Sequence, residues 1–433
     1  MKIGFISLGC AKNLVDSEFV LGMLQASEVD IVHDPEEADI IFINTCGFIE
    51  AAREETIATI HEMHQYGKKL VVMGCYAERY RAQIMAQMPF IDHVIPLSDY
   101  PRLHQVLAKI FAPSHTTFFP LSYQRRLLTA GPYAPYVKIS DGCDNRCTYC
   151  AIPLIRGPFR SRPEQEIIDE CRWLISGGAK EINLVSQDTT RYGRDLSGGE
   201  SIVRLLERIC QMEGLFLVRL LYLYPEEISE DLLRLIERQP KIARYFDIPL
   251  QHIADPVLKR MHRRGSSVEI SALIDRIRSL MPDAVIRTTL IVGFPCESEA
   301  DFRLLEDFVR ETRFDRLGVF AYSPEEDTLA KDYPDQIDEE TKSLRKERIM
   351  LLQKRISQEN HRRQKNKVHS TLIEHYDPES KYYYGRSYAF APDDVDGYIV
   401  FQSHKQHAIG DIVNVRITDT NAYDLLGNVQ DEV

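Results

Sequence analysis

Three cysteines with the spacing C-x-x-x-C-x-x-C are the residues of this sequence with the clearest chemistry. They are Cys143, Cys147 and Cys150, and no histidine or further cysteine follows them before Cys171. Three thiolates bind three irons of a [4Fe-4S] cluster and leave the fourth iron open to a substrate or cofactor, whereas electron-transfer clusters and structural zinc sites have four protein ligands. The spacing predicts a reactive cluster. A zinc site that takes a distant fourth ligand is the alternative.

Three more cysteines follow predicted strands near the amino terminus. Short apolar runs predict buried strands at 3–7, 39–44, 70–73 and 93–95, with helices at 13–25 and 50–66 between them. Cys10, Cys46 and Cys75 each come after one of the first three strands. Because the carboxyl ends of parallel strands meet at one edge of a sheet, these thiols are predicted to converge in a second cluster site. Ordinary buried core cysteines are the alternative.

The middle of the chain repeats the alternation of strands and helices on a larger scale. Strands are predicted at six places, namely 136–139, 181–185, 217–222, 244–248, 284–292 and 316–322. Helical segments between them indicate successive βαβ units, which favour a partial (β/α)6 barrel related to the eightfold one. The Cys143 motif follows the first of these strands, at the end where such barrels carry their active sites.

The last hundred residues change character twice. A charged stretch at 336–367 is predicted to be a solvated connecting helix, with a basic face for nucleic acid as the alternative. The tail then shows short strands broken at glycines, which predict a small β-barrel of the oligonucleotide-binding type; the glycines are Gly385, Gly397, Gly410 and Gly427. From Lys367 onward five Lys or Arg face eleven Asp or Glu. Such an acidic barrel is a poor phosphate binder.

Composition limits the class of protein. With 433 residues and a net charge of −12, the chain is long enough for two or three domains and favours a basic partner over a nucleic acid. No apolar run has membrane-spanning length and none resembles a signal peptide, so a soluble cytoplasmic protein without a membrane partner is predicted. Nine cysteines then indicate thiolate ligands and buried thiols. Cys171 and Cys210 share apolar helix faces and are predicted to be core, and Cys296 is predicted not to bind metal.

The order of these parts resembles the radical S-adenosylmethionine methylthiotransferases. That family combines an amino-terminal three-cysteine domain, a radical barrel and a carboxyl-terminal TRAM domain. The resemblance places these at 1–115, 130–335 and 367–433, with a helical linker at 336–366. The runs 7–18 (SLGCAKNLVDSE) and 44–49 (NTCGFI) are similar to the branch that modifies the small-subunit ribosomal protein uS12. The tRNA-modifying branch has a different run after the second cysteine.

This resemblance implies a reaction. A [4Fe-4S] cluster on Cys143, Cys147 and Cys150 would generate the radical, a second cluster would bind the other cysteine triad, and S-adenosyl-L-methionine would supply both the radical and the methyl group. The product would be a methylthio group on the β-carbon of an aspartate of uS12, with an adenosine of tRNA as the alternative substrate. An electron donor and a sulfur source are also implied. The enzyme is expected to be a monomer, with basic uS12 docking on the acidic TRAM domain.

The resemblance also assigns residues around the cofactor. Tyr149 is expected beside the adenine. Gly177 and Gly178 resemble the methionine-binding glycine pair, although a plain helix stop fits their spacing equally. Gln187 and Asp188 are expected to contact cofactor or substrate, with loop hydrogen bonding as the alternative. Four arginines are candidates for attracting the substrate carboxylate or are simply solvated: Arg146, Arg156, Arg160 and Arg162. Cys296 stands where the family has a glycine, which puts the local backbone conformation in question.

Overall fold

A five-stranded parallel sheet organises the amino-terminal domain. The computed structural model describes residues 1–112, 116–120, 123–392 and 395–430, so the predicted domain ends at 113–115 and 431–433 lie outside it. The strands are β1 (Lys2–Ser7), β2 (Asp30–Val32), β3 (Ile40–Thr45), β4 (Lys69–Gly74) and β5 (His93–Pro96). They stand in the order β2-β1-β3-β4-β5. The short β2, half exposed at the sheet edge, is the strand that the apolar pattern does not predict.

Helices cover both faces of this sheet. They are α1 (Ala11–Ala26), α2 (Glu50–His64), α3 (Cys75–Arg79), α4 (Arg81–Gln87) and α5 (Leu103–Ile110). The central strand β3 is buried on both sides because Phe42 packs into one core and Ile41 and Ile43 into the other. A near-continuous apolar strand of this kind is typical of a doubly covered parallel sheet.

Six parallel strands form the open barrel of the second domain. They are β6 (Tyr136–Lys138), β9 (Glu181–Val185), β10 (Leu217–Leu220), β11 (Tyr245–Asp247), β12 (Val285–Val292) and β13 (Arg316–Ala321). Two three-stranded sheets, β10-β9-β6 and β11-β12-β13, meet where Val218 pairs with Ile242. A small antiparallel pair, β7 (Ser140–Asp141) and β8 (Arg160–Ser161), lies beside β6. The predicted partial (β/α)6 barrel is confirmed.

Helices surround this barrel on its outer side and follow the loop that carries the Cys143 motif. They are α6 (Ile152–Arg156), α7 (Glu164–Ser176), α8 (Ile202–Cys210), α9 (Glu230–Arg238), α10 (Asp255–Arg260), α11 (Ser267–Leu280), α12 (Glu299–Thr312) and α13 (Glu339–Arg362). Cys171 and Cys210 lie in the barrel core as predicted. The prediction of a solvated connecting helix was wrong for one face of α13, where Ile349 and Ile356 are buried in the same core.

The carboxyl-terminal domain is a closed five-stranded barrel. Its strands are β14 (Val368–Asp377), β15 (Tyr382–Arg386), β16 (Ile399–Gln402), β17 (Ile412–Thr420) and β18 (Leu425–Val429), in the order β14-β15-β16-β18-β17. Gly397 and Gly410 lie between strands as predicted. Gly385 and Gly427 instead lie inside strands. Glycine is required there because a Cβ at either position would approach a neighbouring carbonyl oxygen to 2.5 Å.

Buried ion pairs attach this small barrel to the amino ends of the larger barrel's strands. Glu181, the first residue of β9, accepts from Arg219 of β10 at 2.8 Å and from Arg386 of β15 at 3.0 Å. The hydroxyl of Tyr245, the first residue of β11, donates to Asp396 at 2.6 Å. The carboxyl ends of the strands therefore remain open. No helix in the described ranges is both long and apolar enough to cross a bilayer.

Candidate functional site

The first cysteine triad lies at the carboxyl edge of the amino-terminal sheet. Cys46 directly follows β3, Cys75 directly follows β4 as the first residue of α3, and Cys10 is the N-cap of α1 after β1. These three strands are neighbours in the sheet, so the predicted convergence occurs. A Cβ on Gly9 would lie 3.1 Å from the Cys46 Cβ and 3.4 Å from its Sγ. The glycine therefore lets the Cys10 segment approach the second cysteine closely.

The electrostatics of this triad are those of adjacent thiols beside a buried arginine. Burial raises the pKa of Cys75 to about 11, with Cys10 and Cys46 adding to the shift and Arg156 opposing it. Desolvation also raises the pKa of Cys46. At Cys10 desolvation is outweighed by Lys12 and Arg156, which together with backbone amides hold its pKa below the ordinary thiol value. A helix N-terminus with nearby cations favours a thiolate in this way.

The second triad lies in the loop after β7, at the carboxyl end of the open barrel. The three thiols interact with one another electrostatically: burial and Cys147 both raise the pKa of Cys143 to about 11 and raise that of Cys150 further. The Tyr224 hydroxyl, after β10, lies 3.0 Å from the Cys147 Sγ. Arg263 stacks on the Tyr224 ring with its guanidinium carbon 3.9 Å from the ring centroid.

The two triads are adjacent across the domain interface. Cys75 shares one small buried apolar cluster with Ala151 and Ile155, and Ala151 directly follows Cys150. Arg156 Nη2 lies 3.5 Å from the Cys75 Sγ and 2.6 Å from Asn13 Oδ1. Within the described residues, no three His, Cys, Asp or Glu side chains are placed to share one metal ion. In a cluster each cysteine binds a different iron, which is a wider arrangement than the ligand set of a single ion.

A buried network of two cations and two carboxylates connects the domains at this point. Arg156 pairs with Asp16 of α1 at 2.9 Å and with Asp141 at 3.1 Å, and Lys138 contacts both carboxylates. Burial opposes ionisation of Asp141, but Lys138 and Arg156 hold its pKa below the ordinary value. Arg162 is also buried and paired, with Glu170 at 2.6 Å. The predictions of a solvated or substrate-attracting Arg156 and Arg162 were therefore wrong, whereas Arg146 and Arg160 are exposed.

Side chains at the carboxyl ends of the strands have buried polar atoms without a hydrogen-bond partner among the described residues. Both amide atoms of Gln187, which follows β9, are buried without a hydrogen-bond partner, and so is Oε1 of Gln251 after β11. Gln251 and Tyr222 have φ values of 72° and 60°, in the left-handed region that non-glycine residues seldom adopt. Backbone strain and unpaired polar atoms at one rim are typical of a ligand site.

The structure brings some predicted residues to this rim and leaves others elsewhere. Gly177 and Gly178 end α7 and precede β9, so they lie at the amino end of that strand, away from the Cys143 motif. Asp188 follows the loop-bonding alternative, accepting from Asn145 at 2.9 Å and from Thr190 at 2.7 Å. The Tyr149 ring packs edge to face on Phe294. Cys296 keeps a left-handed backbone with φ 62°.

Several residues at the site were missed by sequence reasoning. Lys12 follows Cys10 by two positions, and its ammonium lies 3.6 Å from the centroid of the Tyr222 ring at the rim of the larger barrel. Tyr224 lies in the loop after β10, and Arg263 lies between α10 and α11. A charged residue inside the Cys10 motif and a polar residue soon after a barrel strand are signals that could have found Lys12 and Tyr224, whereas no such signal marks Arg263.

Family models match three parts of the chain. Residues 2–96 match a family described as "Uncharacterized protein family UPF0004", residues 137–309 match the radical SAM superfamily, and residues 367–429 match the TRAM domain.

Curated relatives match along the whole chain. A protein of Acetivibrio thermocellus named ribosomal protein uS12 methylthiotransferase RimO is 46% identical over 100% of this chain and 99% of its own length. Proteins of the same name from Alkaliphilus oremlandii and Geobacter sulfurreducens are each 43% identical, covering 100% and 99% of this chain and 100% and 98% of their own.

Solved structures share the fold at low identity. The radical S-adenosylmethionine methyltransferase TsrM from Kitasatospora setae has a TM-score of 0.53 at 13% identity, covering 75% of this chain and 76% of its own. The cobalamin-dependent radical enzyme OxsB also has a TM-score of 0.53, at 12% identity, covering 81% and 56%.

Proposed function

Because this chain belongs to the RimO family of ribosomal protein uS12 methylthiotransferases, we propose that it places a methylthio group on the β-carbon of an aspartate of uS12. Membership of the radical SAM superfamily brings a [4Fe-4S] cluster and S-adenosyl-L-methionine. The observation that supports the proposal is that the two cysteine triads are adjacent: Cys75 shares a buried cluster with Ala151, the residue after Cys150, and Arg156 Nη2 lies 3.5 Å from the Cys75 Sγ.

The residues present fit a cluster at the Cys143 motif. Cys147 raises the pKa of both Cys143 and Cys150, and this repulsion is lost when the thiols bind cationic iron as thiolates. Tyr224 and Arg263 place a hydroxyl and a positive charge beside the Cys147 sulfur, as expected for residues next to an anionic cluster. With S-adenosyl-L-methionine bound, the cluster would supply a 5′-deoxyadenosyl radical able to remove a hydrogen atom from a carbon whose proton is too weakly acidic for an ordinary side-chain base.

We further propose that Cys10, Cys46 and Cys75 hold an auxiliary cluster that binds the sulfur to be transferred. The sheet edge gives each cysteine a separate strand, and Arg156 offers a buried N–H donor to Cys75. Gln187 and Gln251 have the free amide atoms needed to bind polar groups of cofactor or substrate. The network of Arg156, Lys138, Asp16 and Asp141 keeps the two domains at a fixed separation, which radical chemistry requires.

The test is anaerobic reconstitution with iron, sulfide, a reductant and S-adenosyl-L-methionine, with purified uS12 and tRNA offered in parallel. The expected result is a mass increase on uS12, located on an aspartate by tandem mass spectrometry. Sulfide and the reductant stand for the sulfur source and electron donor that the cell would provide. A mass increase on tRNA alone would overturn the proposal, and a protein that takes up zinc but no iron would overturn the reaction class.

A further inference from the structure

Ten lysine and arginine residues are buried as whole residues in the described part of the chain, and eight of them have a carboxylate partner. The buried cations are Lys12, Arg126, Lys138, Arg156, Arg162, Arg219, Arg263, Lys342, Arg345 and Arg386. No described ion pair within 4.0 Å includes Lys12 or Arg263. Arg263 stacks on Tyr224 and interacts electrostatically with the Cys147 thiol and with the carboxylate of Glu226, which supply its negative charge. Lys12 interacts with the Cys10 thiol, whose pKa it lowers, and with the carboxylate of Asp247, but neither lies at ion-pair distance from its ammonium.

The position of Lys12 is defined by both domains. It lies in the first turn of α1, two residues after Cys10, and only 8% of it is exposed. Its ammonium lies 3.4 Å from the carbonyl oxygen of Ser186 and 3.6 Å from the Tyr222 ring centroid, residues that follow β9 and β10. The nearby carboxylate of Asp247 accepts from the Tyr222 amide and faces Arg287. Lys12 thus crosses from the auxiliary triad to the rim of the radical barrel.

The ammonium of Lys12 has unused hydrogen-bonding capacity. A cation–π contact and one long hydrogen bond to a carbonyl leave N–H donors without an acceptor, and buried charges in proteins are ordinarily paired at close range. An anion that accepted from these donors would lie at the rim of the radical barrel, beside the auxiliary triad. In the proposed reaction the acceptor β-carbon occupies that space, and a carboxylate is covalently attached to it.

We propose that Lys12 recognises the target aspartate by pairing its ammonium with the side-chain carboxylate of that residue. This inference rests on the proposed function and names the specificity-determining residue within it. The pairing fixes the β-carbon one bond from the ion pair, between the radical source and the bound sulfur. The same pairing disfavours binding of the uncharged amide isostere, because asparagine would leave the buried cation without an anionic partner.

The experiment is a double-mutant cycle measured by binding. The reconstituted enzyme and its Lys12→Met variant are each titrated with uS12 and with uS12 carrying asparagine at the target aspartate, and dissociation constants are read by fluorescence anisotropy. The native enzyme is expected to prefer the aspartate form by roughly tenfold to a hundredfold, the range for a hydrogen bond to a charged group. In the Lys12→Met variant the two forms are expected to bind alike.

Two controls accompany this cycle. Lys365→Met, an exposed lysine on α13's trailing turn, removes the same charge and should keep the preference. Lys12→Arg keeps a cation and should retain a reduced preference for the aspartate form of uS12. If the Lys12→Met variant loses iron or folds poorly, Lys12→Arg replaces it as the decisive test.

The inference is overturned if the native enzyme binds both forms of uS12 equally, or if Lys12→Met weakens both by the same factor, because Lys12 would then only stabilise the auxiliary site. Failure of the proposed function looks different: the native enzyme adds no mass to uS12 at all. The two failures are therefore distinguishable in one set of samples.

Discussion

Removal of the Cys150 thiol should distinguish the roles of the two triads. Its neighbour Ala151 shares a buried cluster with Cys75 of the other triad. Cys150→Ala is expected to abolish 5′-deoxyadenosine formation, measured by chromatography, and to remove about half of the bound iron, because two thiolates hold a [4Fe-4S] cluster poorly. Cys210→Ala, which removes a buried thiol from the barrel core, is the matched control. It should keep both the 5′-deoxyadenosine formation and the bound iron. Full cleavage of S-adenosyl-L-methionine by the Cys150→Ala variant would contradict the assignment of Cys150 to the radical cluster.

The Tyr224 hydroxyl should tune the radical cluster. A hydrogen bond to a cluster sulfur stabilises the more negative, reduced state, so Tyr224→Phe is expected to lower the reduction potential. If that bond differs by about 1 kcal/mol between oxidation states, the shift is roughly 40 mV. A redox titration followed by electron paramagnetic resonance measures it. Tyr245→Phe removes a buried hydroxyl far from both triads and should leave the potential unchanged.

The helix α13 shows what an element contributes beyond connection. Ile349 is fully buried against the barrel core, while Leu351, two residues later, is 52% exposed. Ile349→Ala is expected to lower the free energy of unfolding by about 2–5 kcal/mol because it opens a cavity. Leu351→Ala should change it by less than about 0.5 kcal/mol. Urea denaturation compares them, and equal effects would show that the helix does not support the barrel.

Elements were predictable where one local rule was sufficient. Strand ends fixed the places of Cys10, Cys46 and Cys75, because parallel strands and their loops follow directly from short apolar runs. The burial of Arg156 was not predictable, since its partner Asp16 lies on α1 of another domain and no local pattern links the two residues. The placement of Gly177 and Gly178 was not predictable for a related reason. Glycines before a strand and glycines after a strand look alike in sequence, but they lie at opposite ends of the barrel, and this pair lies at the end away from the Cys143 motif.

At the scale of the whole molecule, Glu181 holds two domains together. Burial opposes its ionisation, but Arg386 and Arg219 hold its pKa below the ordinary value. A depressed carboxyl pKa contributes stability that is present above the unfolded pKa, near 4.3, and is lost as the pH falls through the folded value. Glu181→Gln is expected to cost about 3–5 kcal/mol at pH 7, because it leaves Arg219 buried without a counter-charge.

The pH dependence provides the check on this prediction. Unfolding of the native protein should become easier as the pH falls below about 4.5, and the Glu181→Gln variant should lose less stability over the same interval. Exposed Glu166→Gln, on the neighbouring helix α7, is the matched control and should follow the native curve. Identical pH profiles for native protein and Glu181→Gln would place the acid sensitivity elsewhere.

The position of the small acidic barrel determines how it can assist uS12. The barrel is attached at the amino ends of the strands of the radical barrel, whereas both cysteine triads lie at the carboxyl ends. Its exposed carboxylates lie away from both triads, so we expect their contribution to a basic substrate to be long-range attraction. We expect Glu379→Gln combined with Asp419→Asn, two exposed positions, to lower kcat/KM about threefold at low salt and to leave kcat unchanged.

Salt and a charge-matched control test the origin of that effect. Screening shortens the reach of exposed charges, so the difference should disappear near 0.5 M salt, where the Debye length is well under 10 Å. Glu54→Gln combined with Glu62→Gln removes the same charge from α2 of the amino-terminal domain. If that pair lowers kcat/KM as much, net charge alone attracts uS12. The other outcome is an effect specific to Glu379 and Asp419 and confined to kcat/KM. In that case the small barrel attracts the substrate at the amino ends of the strands, whereas the reaction takes place at the cysteine triads at the carboxyl ends.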